Sequence, residues 1–356
     1  MNKVPVLVTG IGGGGHGEQI LKALRMASTP YLLVGGDMNP FSKGLAEVDI
    51  PYILPPAKDP RYIDSLLRLC RKHSIKAMFH GSEPELKVMS ANRDLIKEAG
   101  VFLPINPAHV IDLCMDKAKT SEWLAAHGFD VPRTVQINDL SDLDKVDFFP
   151  AVLKPSVGSG GSANIFLAQD RKELNFLGMS LLENIGPYIV QEYVGNTESE
   201  FTVGVLFDMN GRLLNSIAVR RMILSGLSNR VRVKNRTGDM SLGEILAISS
   251  GVSQGDVGAF PEVTGVCEKI ATELGCQGAV NIQCRLAGGK VYVFEINPRF
   301  SGTTSLRAMV GYNEPDVLLR THVLQDPVSP RFTYREGRVV RGLAEVLLPG
   351  NPIEQA

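Results

Sequence analysis

Apolar and polar positions alternate in two different textures along this 356-residue chain. Val4–Gly10 is apolar through Val8 and closes on Thr9 and glycine, which predicts a buried parallel strand. A glycine-rich turn follows, then a helix from Glu18 to Met26. Tyr31–Val34 reads as the next strand, Asp59–His73 as an amphipathic helix, Ala77–Phe79 as a short strand before Gly81, and Glu85–Ala99 as another helix. Strands alternating with helices predict a doubly wound parallel sheet. Pro104-Ile105-Asn106-Pro107 reads as a boundary, followed by a helix starting near Ala108 and a second over Lys117–His127 that stops at Gly128.

Beyond Val131 the runs become short and rich in β-branched residues: Ala151–Lys154, Ile189–Tyr193, Phe201–Phe207, Leu214–Arg221 and Arg230–Lys234, with Gly, Asn and Asp between them. That pattern predicts antiparallel α+β structure. Two further strands, Asn281–Leu286 and Val291–Asn297, flank the turn Ala287-Gly288-Gly289, so they form a hairpin able to bring Gln283 alongside Glu295. Glu295, Asn297 and Arg299 lie two residues apart and point to one face. A carboxylate beside amide oxygens suits a hard cation such as Mg²⁺. The arginine beyond them suits a phosphate or carboxylate. Pro298 ends the run just where these polar residues cluster, which argues against a merely solvated strand.

Composition narrows the classes. A formal net charge of −1 gives no pull on nucleic acid or an acidic membrane. Five scattered cysteines without a CxxC pair fit a reducing cytoplasm. The apolar stretch 4–11 is too short to span a bilayer. No His/Cys cluster has metal-ligand spacing, and no nucleophile motif appears.

Two glycine-rich turns carry the remaining chemistry. Phe149–Pro155 reads as a strand ending in Lys154, and Ser156–Ser162 follows with Ser159, Gly160 and Gly161. Exposed backbone N–H groups there can wrap phosphate oxygens, with the lysine adding charge. No Gly-Lys-Ser/Thr follows, so the loop is not a Walker A motif. Gln191, Glu192, Tyr193 and Val194 turn a strand into a linker that can offer backbone groups to an adenine edge, and Glu200 can accept from ribose hydroxyls. The first turn, Gly10-x-Gly12-x-x-Gly15 with Asp37 further on, matches a dinucleotide fingerprint. A tight strand-to-helix turn explains it as well, and His16 within it either caps the turn or touches a substrate. His73 and His80 read as structural. Arg220, Arg221 and the alternating Arg230, Arg232, Lys234 and Arg236 form the basic concentration, either a clamp for phosphate or carboxylate or a solvated sheet face.

Taken together, these residues resemble the ATP-grasp superfamily, most closely the ATP-binding half-modules of carbamoyl-phosphate synthase large subunits. The resemblance covers nearly the whole chain: the N-terminal sheet, Asp116-Lys117, Lys154-Pro155 with its glycine loop, Gln191–Val194, Glu200, and Gln283…Glu295-x-Asn297-x-Arg299. It implies a Rossmann-like pre-ATP-grasp domain (1–105), linker helices (106–128), and a two-subdomain ATP-grasp fold (129–192 and 193–356). It implies ATP with Lys117 and Lys154 near its phosphates, and one or two Mg²⁺, or Mn²⁺, on Gln283, Glu295 and Asn297. Arg299, Lys154 and Asn297 would carry the chemistry, with Gly14, His16, Glu83, Arg220, Arg221 and Arg232 toward the second substrate. The expected activity is an ADP-forming carboxylate–amine ligase acting on small molecules, with a homodimer allowed. The chain departs from the synthetase in having one ATP-grasp unit and no glutaminase or allosteric module, which leaves the acceptor open. Phosphorylation of bicarbonate or carbamate, an NAD(P)-dependent oxidoreductase and a non-catalytic ATP-binding subunit are the alternatives.

Overall fold

The computed structural model describes residues 3–158, 164–348 and 353–356. The first unit runs β1 (Val4–Thr9), α1 (His16–Met26), β2 (Tyr31–Asp37), β3 (Ile50–Ile53), α2 (Tyr62–Lys72), β4 (Ala77–Phe79), α3 (Glu83–Ala91) and α4 (Arg93–Glu98). All its strand pairs are parallel, as the apolar runs predict. Where one long helix was expected over Glu85–Ala99, the chain breaks at Asn92. The Asn92 side-chain amide donates to the Val88 carbonyl at 2.8 Å, a local bond of the kind that competes with helix continuation. Two turns at the strand ends are pressed together. A Cβ on Gly81 would stand 2.1 Å from the Thr9 carbonyl oxygen and 2.3 Å from that of Gly10, so glycine is required for the close approach.

Helices α5 (Ala108–Cys114) and α6 (Lys117–Ala126) lead to a four-stranded sheet made of β5 (Thr134–Ile137), β6 (Ala151–Pro155), β7 (Phe166–Ala168) and β8 (Tyr188–Glu192), ordered β5-β8-β6-β7, with α7 (Arg171–Asn184) between β7 and β8 in sequence. The chain continues through β9 (Glu200–Phe207), β10 (Leu213–Arg221), β11 (Asn229–Lys234), β12 (Ile245–Ser249), β13 (Gly255–Gly258), α8 (Pro261–Glu273), β14 (Ala279–Ala287), β15 (Lys290–Asn297), α9 (Thr304–Met309), α10 (Glu314–His322), β16 (Gly337–Val339) and β17 (Glu354–Gln355). Six of these strands make one sheet, ordered β15-β14-β9-β10-β13-β16. One face packs Val203, Val205, Val280 and Ile282 against Val263, Cys267 and Ile270 of α8. The other buries Leu206, Leu214 and Ile217 with Leu306, Leu318 and residues of α1.

Two segments leave the units that the sequence assigns them. β17 pairs in parallel with β3, so the end of the chain joins the N-terminal sheet. The β11–β12 hairpin packs Val233, Leu242 and Leu246 against Tyr193, Val152 and Leu167, which attaches it to the small four-stranded sheet.

Beneath the large sheet, Arg307 and Glu314 form an ion pair at 3.1 Å with both side chains fully buried. Arg307 also donates to Asn281 Oδ1 at 2.7 Å, and Thr304 donates to Glu314. Gly204 makes the room, since a Cβ there would lie 2.3 Å from the guanidinium. Removing one member of such a pair strands the other charge. Arg307→Ala should therefore lower the unfolding free energy by about 3–5 kcal/mol, read by urea denaturation. The double replacement Arg307→Met with Glu314→Leu should lose clearly less. A single variant as stable as the parent would show that the pair does not brace the sheet.

Candidate active site

The site begins with strand register. β14 and β15 are antiparallel, with Gln283 opposite Glu295 and Asn281 opposite Asn297, and the register shifts just after Gln283. A local bulge of this kind re-aims side chains. Gln283 Nε2 donates to Glu295 Oε2 at 3.4 Å. Asn281 is spoken for, because its Oδ1 accepts from Thr202 and Arg307. Asn297 is buried, and its Oδ1 accepts from Arg299 at 2.9 Å. Arg299 also pairs with Glu83 at 2.8 Å, at the start of α3. Burial would raise the Glu83 carboxyl, but Arg299, with Lys117, outweighs it and holds the group below the usual carboxylate range.

Two clefts meet along this hairpin. The first is an open cleft of about 630 Å³ between the small and large sheets. Pro132, Val152, Ile165, Ile248, Tyr292 and Phe294 give it apolar walls, and Gln191, Glu192, Tyr193 and Val194 line it too. Lys154 sits at its inner end and is buried. Its ammonium donates to Gln191 Oε1 at 2.8 Å and to the Phe294 carbonyl at 3.1 Å. Burial, countered by Glu295 and reinforced by Lys117, lowers the Lys154 pKa to about 8. The second cleft, about 620 Å³, is polar and is lined by Lys117, Arg221, Asn297, Arg299, Glu83 and the hydroxyls of Thr202, Ser253, Ser301 and Thr303. Gln283 and Glu295 belong to both.

Lys117 is placed by its own helix start. Asp116 caps α6 by accepting from the Ala118 and Lys119 backbone N–H groups, and the Ser156 hydroxyl donates to it at 2.7 Å. Lys117 N–H donates to the Ser156 carbonyl at 2.9 Å. The glycine loop is therefore anchored at its base to this helix. Ser159, Gly160 and Gly161 lie outside the described residues.

Other expected residues fall where the sequence did not show. Glu200 lines the first cleft but its carboxylate already accepts from Arg221 at 3.0 Å and from Arg285 at 2.9 Å. Glu192 turns its carboxylate to Arg133, and its backbone N–H donates to the Arg133 carbonyl at 2.8 Å. Arg220 pairs with Asp256 and Arg232 is exposed, and neither lines either cleft. Arg230, Arg232 and Lys234 share the exposed side of β11, which is the solvated-face reading. His16 is buried against His80, Nε2 to Nδ1 at 3.2 Å, and Gly14 is exposed in the first turn. Burial, with Arg299 nearby, drives both imidazoles toward the neutral form, His80 to about 3. Asp37, the ribose acceptor of the dinucleotide reading, points into the turn instead and accepts from the Gly12 and Asn39 backbone N–H groups at 2.8 and 2.9 Å. The sequence reading missed Arg285, although it lies two residues from Gln283 on the same strand. It also missed Tyr292 and Phe294 and the hydroxyls of 301–303, which no spacing rule marks.

The donors Gln283, Glu295 and Asn297 offer only oxygen and one carboxylate, with Arg221 and Arg299 close by. Among the described residues no group of three or more His, Cys, Asp or Glu could hold a metal. This set fits Mg²⁺, or Mn²⁺, completed by oxygens of a bound anion rather than held alone. No helix is long and apolar enough to cross a membrane among the described residues, and all five cysteines are buried and unpaired.

Comparison with known proteins places these features. Residues 114–303 match the ATP-grasp domain, and residues 6–104 match the PylC-like N-terminal domain. The carbamoyl phosphate synthase large chain of Thermoplasma acidophilum is 24% identical over 260 residues, 70% of this chain and 23% of that one. The Clostridium beijerinckii large chain is 22% identical and the match covers 94% of this chain and 32% of that one. This chain thus spans about a quarter to a third of the length of these curated relatives. An ADP complex of N5-carboxyaminoimidazole ribonucleotide synthetase superposes with a TM-score of 0.65 at 15% identity, covering 94% of this chain and 80% of that one. The L-amino acid ligase from Bacillus licheniformis does so at 0.61 and 19% identity, covering 92% and 75%.

The lowered pKa of Lys154 has a consequence for anion binding. A phosphate group in the first cleft favours the ammonium form, so binding above about pH 8 must take up a proton and weaken as pH rises. Calorimetry of a nucleoside triphosphate in buffers of different ionisation enthalpy should show near-zero uptake at about pH 6.5 and a clear fraction of one proton at about pH 9. Lys154→Arg should abolish that difference. Equal uptake in parent and variant would mean another group titrates.

Proposed function

This chain belongs to the ATP-grasp family, and on that premise we propose that it is an ATP-dependent ligase that activates a small carboxylate, or bicarbonate, as an acyl phosphate and joins it to an amine or another nucleophile. The observation that supports this most is the seam between the two clefts. Gln283 and Glu295 line both an apolar-walled cleft ending at Lys154 and a polar cleft containing Asn297 and Arg299. A nucleotide with its base against Tyr292, Phe294 and the 192–194 linker would end its phosphates at that seam, within reach of a carboxylate beyond it.

Each side chain then has a role. Lys154, which lines the apolar-walled cleft, and Lys117, which lines the polar one, would neutralise phosphate charge at the seam. Gln283, Glu295 and Asn297 would hold Mg²⁺, which supplies charge neutralisation on the transferring phosphoryl group. Arg299, half-buried beside Asn297 and Glu83, would stabilise charge that develops on the acyl phosphate and the tetrahedral intermediate. No covalent nucleophile is required. The reading makes a γ-phosphoryl transfer, so ADP and inorganic phosphate are the expected products. The placement of Asp37 inside the first glycine turn tells against the oxidoreductase alternative. Unpaired buried cysteines accord with a cytoplasmic setting. The exposed Val340, Leu343 and Leu347 after edge strand β16 offer a surface for a homodimer.

Three outcomes are expected. Lys154→Ala should weaken ATP binding by about one to two orders of magnitude, from loss of a charge-assisted contact. If Lys154→Ala binds ATP normally while Gly12→Val does not, the nucleotide site is elsewhere. The protein without nucleotide should bind Mg²⁺ only weakly, and calorimetry showing tight binding of the metal alone would contradict the donor assignment. With a panel of carboxylates, amines and bicarbonate, turnover should release ADP and phosphate, and Arg299→Ala should depress kcat while leaving ATP affinity nearly intact. AMP as the main nucleotide product would end the acyl-phosphate mechanism.

A further inference from the structure

Glu200 and Arg221 form a buried ion pair that reaches from one cleft to the other. Glu200 lines the apolar-walled cleft and Arg221 lines the polar one. Their side chains are 2% and 3% exposed and meet at 3.0 Å, while Arg285 holds the second Glu200 oxygen. Arg221 also donates to the Ser249 hydroxyl at 2.8 Å, to the Ser250 carbonyl and to Gln283 Oε1 at 3.4 Å. Its Nε, though buried, has no partner, and neither has the Nε of Arg299 on the same cleft. A buried donor without an acceptor marks an arrangement that a small turn of the guanidinium could improve, provided an acceptor arrives. Besides the two arginines, the cleft is lined by Lys117, the carboxylates of Glu83 and Glu295, the amides of Gln283 and Asn297 and several hydroxyls, and among the described residues Ile165 is its one sizeable apolar side chain.

We infer that Arg221 anchors the anionic group of a small, polar second substrate, and that its ion pair with the Glu200 carboxylate couples filling of the polar cleft to filling of the nucleotide cleft. This rests on the ligase reading above. A hydroxyl of the nucleotide that donates to Glu200 draws on the charge that Glu200 otherwise spends on Arg221. Arg221 is thereby released toward an anion on its other side. The coupling is positive, and linkage makes it reciprocal: the anion tightens nucleotide binding by the same factor. Arg285 keeps Glu200 ionised and in place while this exchange occurs.

The test uses the full chain, calorimetry, the non-hydrolysable analogue AMP-PNP with Mg²⁺, and malonate as the anionic probe. In the parent protein, saturating malonate should lower the AMP-PNP Kd by about fivefold or more, and AMP-PNP should lower the malonate Kd equally. Phenylacetate, which adds an apolar ring, should show little coupling. Arg221→Lys, checked for native circular dichroism, keeps the charge but loses the forked geometry. It should weaken malonate by about tenfold and change AMP-PNP binding alone only slightly. Glu200→Gln should bring the coupling factor close to one, a change that a purely structural role would not produce. If AMP-PNP binds to the parent but malonate leaves its Kd unchanged, this inference is overturned and the ligase reading survives. If AMP-PNP does not bind at all, both fall. The parent measurement alone decides the coupling even where a variant fails to fold.

Discussion

The pairing of Gln283 with Glu295 across the β14–β15 hairpin is the constraint on which the site depends. Side chains alternate faces along a strand, so a slip of one residue would send Glu295 and Asn297 to the α8 side of the sheet and bring Val293 and Ile296 into the clefts. Nothing local to the turn prevents such a slip as firmly as the burial of Val293, Ile296 and Ile282 against α8 does. The apolar face of the hairpin therefore fixes where its polar face points. The shift after Gln283 adds a second adjustment that keeps the amide beside the carboxylate.

Buried charge does the finer positioning. Arg307 with Glu314, Glu200 with its two arginines, and Arg299 with Glu83 are all removed from water to a large extent. An isolated charge in such surroundings is strongly disfavoured, so each group is held to its partner rather than left to sample rotamers. The three sets lie in sequence along the large sheet. Arg307 reaches Asn281, the neighbour of the Gln283 strand position, and Arg299 reaches Asn297. The site is thus held by ion pairs that are themselves braced by the helices beneath.

Side-chain hydrogen bonds tie the small sheet and its β11–β12 hairpin to this frame, among them Arg221 to the Ser249 hydroxyl and Arg285 to the Ala247 carbonyl. Lys154 donates to the Phe294 carbonyl of the large sheet. Ser156, at the base of the glycine loop, is bonded to the cap of α6. The β11–β12 hairpin travels with the small sheet through Tyr193, Leu242 and Leu246, and Tyr193 OH donates to the Ala247 carbonyl at 3.2 Å.

The sequence by itself determined the parallel first sheet, the antiparallel texture beyond Val131 and the hairpin with its row of Glu295, Asn297 and Arg299, because period-two and apolar-run patterns are local properties of the chain. It also marked Lys154 and Lys117 through the glycine loop and the helix start that follow or precede them. Only the tertiary structure decided which cations meet which anions. Arg221 and Arg220 are neighbours in sequence, yet one is buried on Glu200 and the other pairs with Asp256, because adjacent strand residues face opposite ways. Glu83, His16 and Arg299 come together, and β17 returns to β3, through contacts between residues far apart in the chain. Such pairings follow from how whole layers pack, and no window of local sequence contains them.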